Sequence, residues 1–405
     1  MEKRIVILGS GMAGFSAASQ IRSQDPNVRI TMVSREQELP YLRPRLSKTC
    51  FCSFPKNRLA IVPESWYQNQ RIKLLLGKRA VRILADEKRL LLENGETLDY
   101  DACIYALGAS PILPPIIGAD KKGVVTLHSL TDFIQLRNYA ASARRAVVIG
   151  GGLTGLEIAW ELSQSGCETR IFEAGPRLME SVLDRQSSQV FTELIQKKGV
   201  SVYTDVSVKE FYGQEENKEL LGGIRLSDNR QFPADLAVVS CGLLPNLKLA
   251  LDSGIACRQG VLVNEFLETS MAGIYAAGDC IQGRQPNPKS WNHAKISGQA
   301  AGFNALFPQK PQIFSPICEP AILNAMGTSL CSIGDVSEDG SKVSVVRQEK
   351  VSALNGLFLV NRHDGEDFSY SKKFYRNNRL CGAVLLGDLS QMNAIKQEIR
   401  KGGQP

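Results

Sequence analysis

The chain has 405 residues and a mass of 44.4 kDa, enough for about two or three domains. Hydrophobic residues make up 43% and charged residues 22%, which excludes a disordered or fibrous protein. The net charge of +7 is concentrated in residues 35–82, where eleven basic and three acidic side chains give +8. This basic segment suggests an acidic partner or ligand, although a solvated basic face would have the same composition.

The chain is expected to be cytoplasmic and to bind neither membranes nor nucleic acid. No apolar run reaches the length of a membrane span, and the charged residues 1–4 lead directly into an apolar strand rather than a cleavable leader. The ten cysteines are mostly scattered singly in apolar segments, as in reduced thiols. Neither they nor the three histidines have the spacing of a metal or iron–sulfur site, so no metal is predicted.

A repeat dominates the sequence. Residues 5–14 and 146–155 each contain a short apolar strand followed by Gly-x-Gly-x-x-Gly. The helix and second strand that follow each turn are predicted at residues 12–23 and 29–33, and at 153–165 and 169–172. Two matches in the same strand–turn–helix context predict two dinucleotide sites.

The glycines of each turn have separate tasks. The first permits the tight turn, the second lets the backbone approach a pyrophosphate, and the third lets the helix lie against the strand. The pyrophosphate would meet free N–H groups and the positive end of the helix dipole. The predicted turn residues are Gly9, Ser10, Gly11, Met12, Ala13 and Gly14, and then Gly150, Gly152, Leu153, Thr154 and Gly155.

The residues after the second strands distinguish the ligands. Glu173 lies 18 residues after Gly155, where a carboxylate bonds ribose hydroxyls and favours NAD over NADP, although Arg177 nearby favours the opposite. The equivalent position of the first unit is Ser34, which can also bond a hydroxyl. Arg35 follows it and could lie on the adenine, near the phosphates, or exposed in solvent.

A third signal is an apolar strand in residues 269–279 that ends in Gly278 and Asp279. Such a carboxylate lies at the strand's C-terminal edge, where ligands bind in open α/β sheets. Residues 104–111 and 238–246 have the pattern of crossover strands and contain Gly108 and Gly242, which are predicted to border the cofactors.

This order of motifs resembles the two-dinucleotide-binding flavoprotein reductases over about residues 1–310. The resemblance is closest to the NADH:rubredoxin reductase branch, near the ferredoxin reductases. The segments that carry it are residues 39–46, 260–264, 290–292, 314–317 and 332–336. It implies an α/β fold with two Rossmann-like domains, for FAD and NAD(H), and a small α+β C-terminal domain.

The resemblance implies a division into three domains. The FAD domain would comprise residues 1–112 and 246–310, the NAD domain 113–245, and the C-terminal domain 311–405. In the C-terminal domain the pattern predicts strands at 343–347, 356–360, 372–375 and 381–386, and a closing helix at 390–401.

Site residues are also implied by the resemblance. The residues implied to lie beside the isoalloxazine ring are Arg43, Pro44, Lys48 and Trp291, and Val81 is a further predicted cofactor-binding residue. Asp279 would bond the ribityl chain. Lys48 and Glu157 are the expected catalytic residues: Glu157 would lie near flavin N5 and position Lys48, which would stabilise negative charge on the reduced flavin.

The absence of cysteine between residues 1 and 49 favours an acceptor other than a disulfide. Disulfide-reducing relatives carry a redox cysteine near the position of Arg43. The favoured hypothesis is therefore that NADH gives a hydride to FAD, and that electrons pass singly to a small acidic iron protein, rubredoxin or ferredoxin, with rubredoxin as first choice. Three alternatives stay open: an electron-transfer subunit of an iron–sulfur complex, a thiol or disulfide reductase using Cys50 and Cys52, and an NADH-binding redox sensor.

Overall fold

A computed structural model of the chain describes residues 2–48, 59–315, 319–337, 339, 342–349 and 368–402. Their α-helices are α1 (Met12–Gln24), α2 (Glu64–Asn69), α3 (Leu130–Ala140), α4 (Leu153–Gln164), α5 (Arg185–Lys197), α6 (Lys248–Asp252), α7 (Trp291–Leu306) and α8 (Met392–Gly402). Short 3-10 helices cover Arg43–Lys48 and Gly278–Cys280.

The β-strands of the described residues are short and numerous. They are β1 (Arg4–Leu8), β2 (Arg29–Val33), β3 (Ile72–Leu75), β4 (Ala80–Leu84), β5 (Arg89–Leu92), β6 (Thr97–Asp99), β7 (Ala102–Tyr105), β8 (Ala109–Pro111), β9 (Val124–Val125), β10 (Arg145–Ile149), β11 (Glu168–Phe172), β12 (Ser201–Tyr203), β13 (Val208–Gly213), β14 (Leu221–Leu226), β15 (Gln231–Pro233), β16 (Leu236–Val239), β17 (Leu243–Pro245), β18 (Val261–Leu262), β19 (Ile274–Ala276), β20 (Ile281–Gln282), β21 (Ala321–Ala325), β22 (Thr328–Gly334), β23 (Lys342–Glu349), β24 (Phe368–Arg376) and β25 (Arg379–Leu386).

The chain divides into two compact units. The first consists of Met1–Arg45, Ser53–Ser110 and Leu243–Ile317, and the second of Leu46–Cys52, Pro111–Gly242 and Cys318–Pro405. The second unit thus contains both the second glycine-rich turn and the C-terminal segment. The division into three domains with the boundaries given above stays a prediction.

The first unit is built on a five-stranded sheet in the order β19-β7-β1-β2-β3, with all strands parallel. The apolar side chains of β1 are almost completely buried, as is typical of a parallel sheet covered on both faces. Helices α1 and α7 pack closely because α7 has glycines at the contact. A Cβ on Gly298 would lie 2.2 Å from the carbonyl oxygen of Ala13, and one on Gly302 would lie 2.7 Å from that of Ala17.

The second unit contains a parallel sheet of the same size, in the order β12-β11-β10-β16-β9. Read from the opposite edge, this order matches that of the first sheet strand for strand, with β10 in the place of β1. The repeat in the sequence therefore extends to whole sheets. The difference is that the outer strand β19 comes late in the chain, whereas its counterpart β9 precedes the glycine-rich turn of its sheet.

The C-terminal segment forms an antiparallel sheet in the order β21-β22-β25-β24-β23. A buried ion pair attaches this sheet to α5: the Nζ of Lys372 on β24 donates to Asp184 at 2.7 Å. Asp184 is also the N-cap of α5 and accepts hydrogen bonds from the amides of Gln186 and Ser187. Because both side chains are at most 2% exposed, losing either partner would leave a buried charge uncompensated.

Most predicted elements are present with small shifts at their ends. Helix α4 ends at Gln164, one residue early, because Ser165 caps it and Gly166 takes a left-handed conformation with φ +84°. Each crossover segment is two short strands rather than one, β7 and β8 or β16 and β17. The breaks occur at Gly108 and Gly242, which have φ of +63° and +100°.

Some predictions lie outside the described residues, including the strand at 356–360 and the pair Cys50 and Cys52. The described cysteines are all free thiols. Among the described helices, none combines the length and apolar character needed to cross a membrane. The cytoplasmic location stays a prediction.

Candidate functional site

The first glycine-rich turn joins β1 to α1. Gly9 has φ +102°, and a Cβ there would lie 2.2 Å from the carbonyl oxygen of Ala106. A Cβ on Gly14 would lie 2.0 Å from the carbonyl oxygen of Gly9, so the helix could not approach the strand. Gly11 has no atom within 4 Å of its Cβ position, so the space in front of α1 is open. This is the arrangement a pyrophosphate needs.

The second turn, between β10 and α4, repeats this geometry. Gly150 has φ +108°, and a Cβ there would lie 2.2 Å from the carbonyl oxygen of Ser240. A Cβ on Gly155 would lie 2.2 Å from the carbonyl oxygen of Gly150, and the Cβ position of Gly152 is open. The two turns therefore have the same backbone requirements at equivalent glycines.

The helix N-termini of the two glycine-rich turns have no side-chain caps. Gly11 and Gly152 are the N-cap residues of α1 and α4. Three longer helices, α3, α5 and α7, are capped by Ser129, Asp184 and Ser290, whereas the short helices α2 and α6 also lack a side-chain cap. The uncapped N–H groups of α1 and α4, at the positive ends of the helix dipoles, fit the phosphates of a dinucleotide.

In the first unit a hydroxyl pair replaces the usual carboxylate after the second strand. The buried Ser10 Oγ donates to Ser34 Oγ at 2.8 Å, and the amide of Glu36 donates to the same Ser34 oxygen at 3.2 Å. Ser34 is thus held by its own turn. Arg35 is exposed.

The acidic residue of this first site is Glu36, which we did not predict. The Tyr41 hydroxyl donates to the Glu36 carboxylate at 2.7 Å, and the Arg43 guanidinium pairs with both Glu36 and Tyr41. Burial by itself would raise the pKa of Glu36, but Arg43 and Tyr41 outweigh it and hold this pKa below its usual value. Two features of the sequence could have indicated Glu36. It is an acidic residue only two positions after Ser34, and the segment Tyr41–Arg43 that binds it follows shortly after.

In the second unit Glu173 has the predicted position and is fixed by backbone amides. It accepts hydrogen bonds from Gly151 N at 2.6 Å and from Gly175 N at 2.7 Å. A Cβ on Gly151 would lie 2.4 Å from the buried side chain of Leu178. Because each carboxylate oxygen has a second lone pair, Glu173 can still accept a hydrogen bond from a ribose hydroxyl.

Asp279 lies three residues after β19, in the short 3-10 helix Gly278–Cys280, because the strand predicted to end at Asp279 already ends at Ala276. Its Oδ1 is buried and has no hydrogen-bond partner. Burial raises the pKa of Asp279 to about 6, although the charges of Lys289 and Arg43 act in the opposite direction. An unpartnered carboxylate oxygen of this kind fits the hydroxyl-bearing chain of a bound cofactor.

The predicted catalytic pair is formed within the second unit. Lys48 Nζ lies 3.3 Å from Glu157 Oε1, and the Ser47 hydroxyl donates to the other oxygen of Glu157. Glu157 is buried on α4, whereas the side chain of Lys48 is 44% exposed. Ser47 is a member of this group that sequence reasoning missed, because its partner is 110 residues away.

Other predicted cofactor-binding residues are spread over the first unit. Val81 is half-buried on β4, and Pro44 is exposed beside Arg43. Trp291 is the first residue of α7 and packs partly buried against the core. The roles of the individual site residues stay predictions.

A family model described as pyridine nucleotide-disulphide oxidoreductase matches residues 3–298. The chain belongs to this family. A second model, the rubredoxin NAD+ reductase C-terminal domain, matches residues 320–403. Membership confirms the predicted fold class, the resemblance to the flavoprotein reductases, and FAD and NAD(H) as the cofactors.

The relatives include single reductases and subunits of larger enzymes. The chain is 29% identical to the NADH-rubredoxin oxidoreductase of Clostridium acetobutylicum, over 98% of this chain and 94% of that protein. It is 30% identical to the nitrite reductase (NADH) large subunit of Escherichia coli, over 97% of this chain but 45% of that subunit. A ferredoxin reductase structure from Rhodopseudomonas palustris matches with TM-score 0.85 and 26% identity, over 97% of this chain and 93% of that one.

Coverage differs among these relatives. The chain spans about half the length of the first curated relatives it matches. Family membership therefore gives the fold and the cofactors.

Proposed function

We propose that the chain is an FAD-dependent NADH oxidoreductase that passes electrons singly to a small iron protein, with rubredoxin as the first candidate. The observation that carries this proposal is the pair of matching parallel sheets, each with an open, uncapped helix N-terminus after a glycine-rich turn. Two such sites suit two dinucleotides used together, rather than one cofactor and an unrelated substrate. The match of residues 320–403 to the rubredoxin reductase C-terminal domain supports the choice of acceptor.

The first turn would hold FAD. Gly9 and Gly11 would accommodate the pyrophosphate, and Glu36 and Asp279 supply carboxylates for hydroxyl groups of the cofactor. When bound, FAD accepts a hydride and can release its electrons one at a time, which is the step that links a nicotinamide to a one-electron acceptor.

The second turn would hold NADH. The phosphates would lie at the start of α4, and Glu173, fixed by two backbone amides, would accept hydrogen bonds from the adenosine ribose. The same carboxylate repels a 2′-phosphate, which favours NADH over NADPH.

Lys48 and Glu157 would supply the local charge. Glu157, held by the Ser47 hydroxyl, fixes the ammonium group of Lys48 by an ion pair. The ammonium group would stabilise negative charge on the reduced cofactor. No general acid or base is needed, because hydride transfer is chemistry of the cofactors.

The basic segment would attract the acceptor. Seven of its nine described basic residues are exposed, and rubredoxins and ferredoxins are typically acidic. A positive surface accelerates encounter with such a partner and makes it sensitive to salt.

The test is anaerobic reduction of the FAD-loaded chain by NADH, followed by mixing with rubredoxin, ferredoxin or a disulfide. The proposal predicts fastest reoxidation by rubredoxin, slower reoxidation by ferredoxin and no appreciable reaction with the disulfide. Fast reoxidation by the disulfide alone would contradict the proposal and favour a role for Cys50 and Cys52.

A second candidate is the FAD- and NADH-binding part of a larger iron–sulfur enzyme. The observation that favours it is the half-length match to relatives such as the nitrite reductase large subunit. Here the basic surface would be a permanent interface. Size measurement of the native protein from its own cells distinguishes the two: a stable hetero-complex supports this candidate, and a free chain contradicts it.

A further inference from the structure

The loop after Glu173 folds back on the second glycine-rich turn. The amide of Met179 donates to the carbonyl oxygen of Gly151 at 3.0 Å, and the buried side chain of Leu178 lies against the same glycine. These contacts hold the loop beside the start of α4, where the dinucleotide phosphates are expected.

Arg177 lies in this loop, four residues after Glu173, and its guanidinium is engaged by the loop itself. One terminal nitrogen lies 3.2 Å from Glu180 Oε1, and the other donates to the carbonyl oxygen of Glu180 at 3.4 Å. Its Nε donates to the carbonyl oxygen of Leu183 at 3.3 Å. The side chain is 26% exposed, so it is restrained but accessible.

Glu180 also comes close to Glu173. The Cβ position of Gly175 lies 2.9 Å from a carboxylate oxygen of Glu180 and 3.2 Å from one of Glu173. Two carboxylates therefore lie against one glycine, in the loop that would contact the adenosine ribose. Any residue larger than glycine at position 175 would displace the side chain of Glu173 or of Glu180.

The carboxylates and the guanidinium of this loop have opposite preferences for NADH and NADPH. A carboxylate selects ribose hydroxyls, whereas an arginine at this site accommodates a 2′-phosphate through paired charge-assisted hydrogen bonds. We propose that Glu180 is a specificity-determining residue, which holds Arg177 in its ion pair and so keeps a 2′-phosphate out of the second site. The inference rests on the proposed function and adds a determinant of NADH selectivity to Glu173.

The test is titration calorimetry of the FAD-loaded full chain with two probes, ADP-ribose and its 2′-phosphate. Glu180→Gln should strengthen binding of the 2′-phosphorylated probe by about tenfold, since it breaks the ion pair with Arg177 and removes a negative charge, while the backbone hydrogen bonds of Arg177 remain. Binding of ADP-ribose should change by less than about twofold, because Glu173 is unaltered. The control Glu216→Gln removes an exposed carboxylate on the β13–β14 loop and should change neither affinity.

The double variant Arg177→Gln/Glu180→Gln tests the mechanism. The inference predicts that it loses the gain, because the guanidinium that would bind the phosphate is gone. No gain in Glu180→Gln, or a gain that survives in the double variant, would overturn the inference while ADP-ribose binding kept the proposed function intact. If the unaltered chain bound neither probe, the assignment of the second turn to NADH would fall together with this inference.

Discussion

The two glycine-rich turns differ most at the residue between their first two glycines. In the first unit this residue is Ser10, whose hydroxyl bonds Ser34 after the second strand. In the second unit it is Gly151, whose amide bonds the carboxylate of Glu173 at the equivalent place. The first turn is thus linked to the end of its second strand by a hydrogen bond between two side chains. The second turn is linked by a hydrogen bond from a backbone amide to a carboxylate.

The two turns have the same backbone conformation because a Cβ atom is excluded at the same positions in both. At Gly9 and Gly150, and again at Gly14 and Gly155, a Cβ would lie 2.0–2.2 Å from a carbonyl oxygen. The side chains around this shared backbone are different in each unit, and we propose that they determine which dinucleotide is bound. Glu36 with Tyr41 and Arg43 belongs to the first, and Glu173 to the second.

The largest effect is expected from adding a Cβ atom to the first glycine of one turn at a time. Gly9→Ala should weaken FAD binding by about 100-fold or more, through a backbone clash and a strained positive φ, and leave ADP-ribose binding to the second turn intact. Gly150→Ala should do the reverse. Equilibrium titration with each ligand measures both.

The matched control is Gly95→Ala, since Gly95 also has positive φ, at +84°, but has no atom within 4 Å of its Cβ position. It should change neither affinity. Loss of both ligands in both turn variants would contradict the independence of the two sites.

The next effect is expected at Asp279, which follows β19 in the first sheet. No acidic residue follows the equivalent strand β9 in the same way. Because the pKa of Asp279 is raised to about 6, its burial lowers the stability of the FAD-free fold as pH rises from about 4 to 6. Asp279→Asn should therefore raise the free energy of unfolding of the FAD-free chain by about 2 kcal/mol at pH 7, with little gain at pH 4. Denaturant unfolding at both values is the measurement.

The same variant should bind FAD more weakly, since it loses a carboxylate that accepts hydroxyl hydrogen bonds. Asp86→Asn, at an exposed turn of the first unit, is the control for both properties. If the gain in stability were equal at pH 4 and pH 7, the buried charge of Asp279 could not be its cause.

A smaller effect is expected from Lys48, which lies beside Glu157 on the second unit's helix. Lys48 pairs with Glu157 at 3.3 Å. If Lys48 has the proposed role, Lys48→Met should slow flavin reduction by NADH about tenfold and lower the flavin potential, because it would remove a positive charge from beside the reduced cofactor. Stopped-flow bleaching and a redox titration measure these. Lys197→Met, an exposed lysine at the end of α5, should behave as the unaltered chain. Unchanged bleaching and potential in Lys48→Met would exclude Lys48 from this role.

The smallest effect is expected from the basic segment, residues 35–82. Charge reversal at exposed Lys73 or Arg82 should lower the second-order rate with rubredoxin about threefold and flatten its decline with ionic strength. Arg258→Glu reverses an exposed charge of the first unit outside the segment and should have less effect. A rate that does not respond to salt in the unaltered chain would leave the segment without this function.

Local patterns predicted much of this structure. The two turns, α1, α4 and the strand before Asp279 follow from glycine spacing and runs of apolar residues, which act over a few neighbouring residues. Contacts between distant residues were harder to predict. Ser47 bonding Glu157 and Lys372 pairing with Asp184 depend on how distant segments meet, which periodicity does not contain.

The proposed function depends on two separate dinucleotide sites with different ligands. The most direct measurement is the flavin content and spectrum of the purified chain after supply of FAD, followed by anaerobic titration with NADH. The proposed function predicts a yellow protein with one FAD per chain, bleached by about one equivalent of NADH. A protein that stays colourless after FAD is supplied, or whose flavin NADH does not reduce, would contradict it.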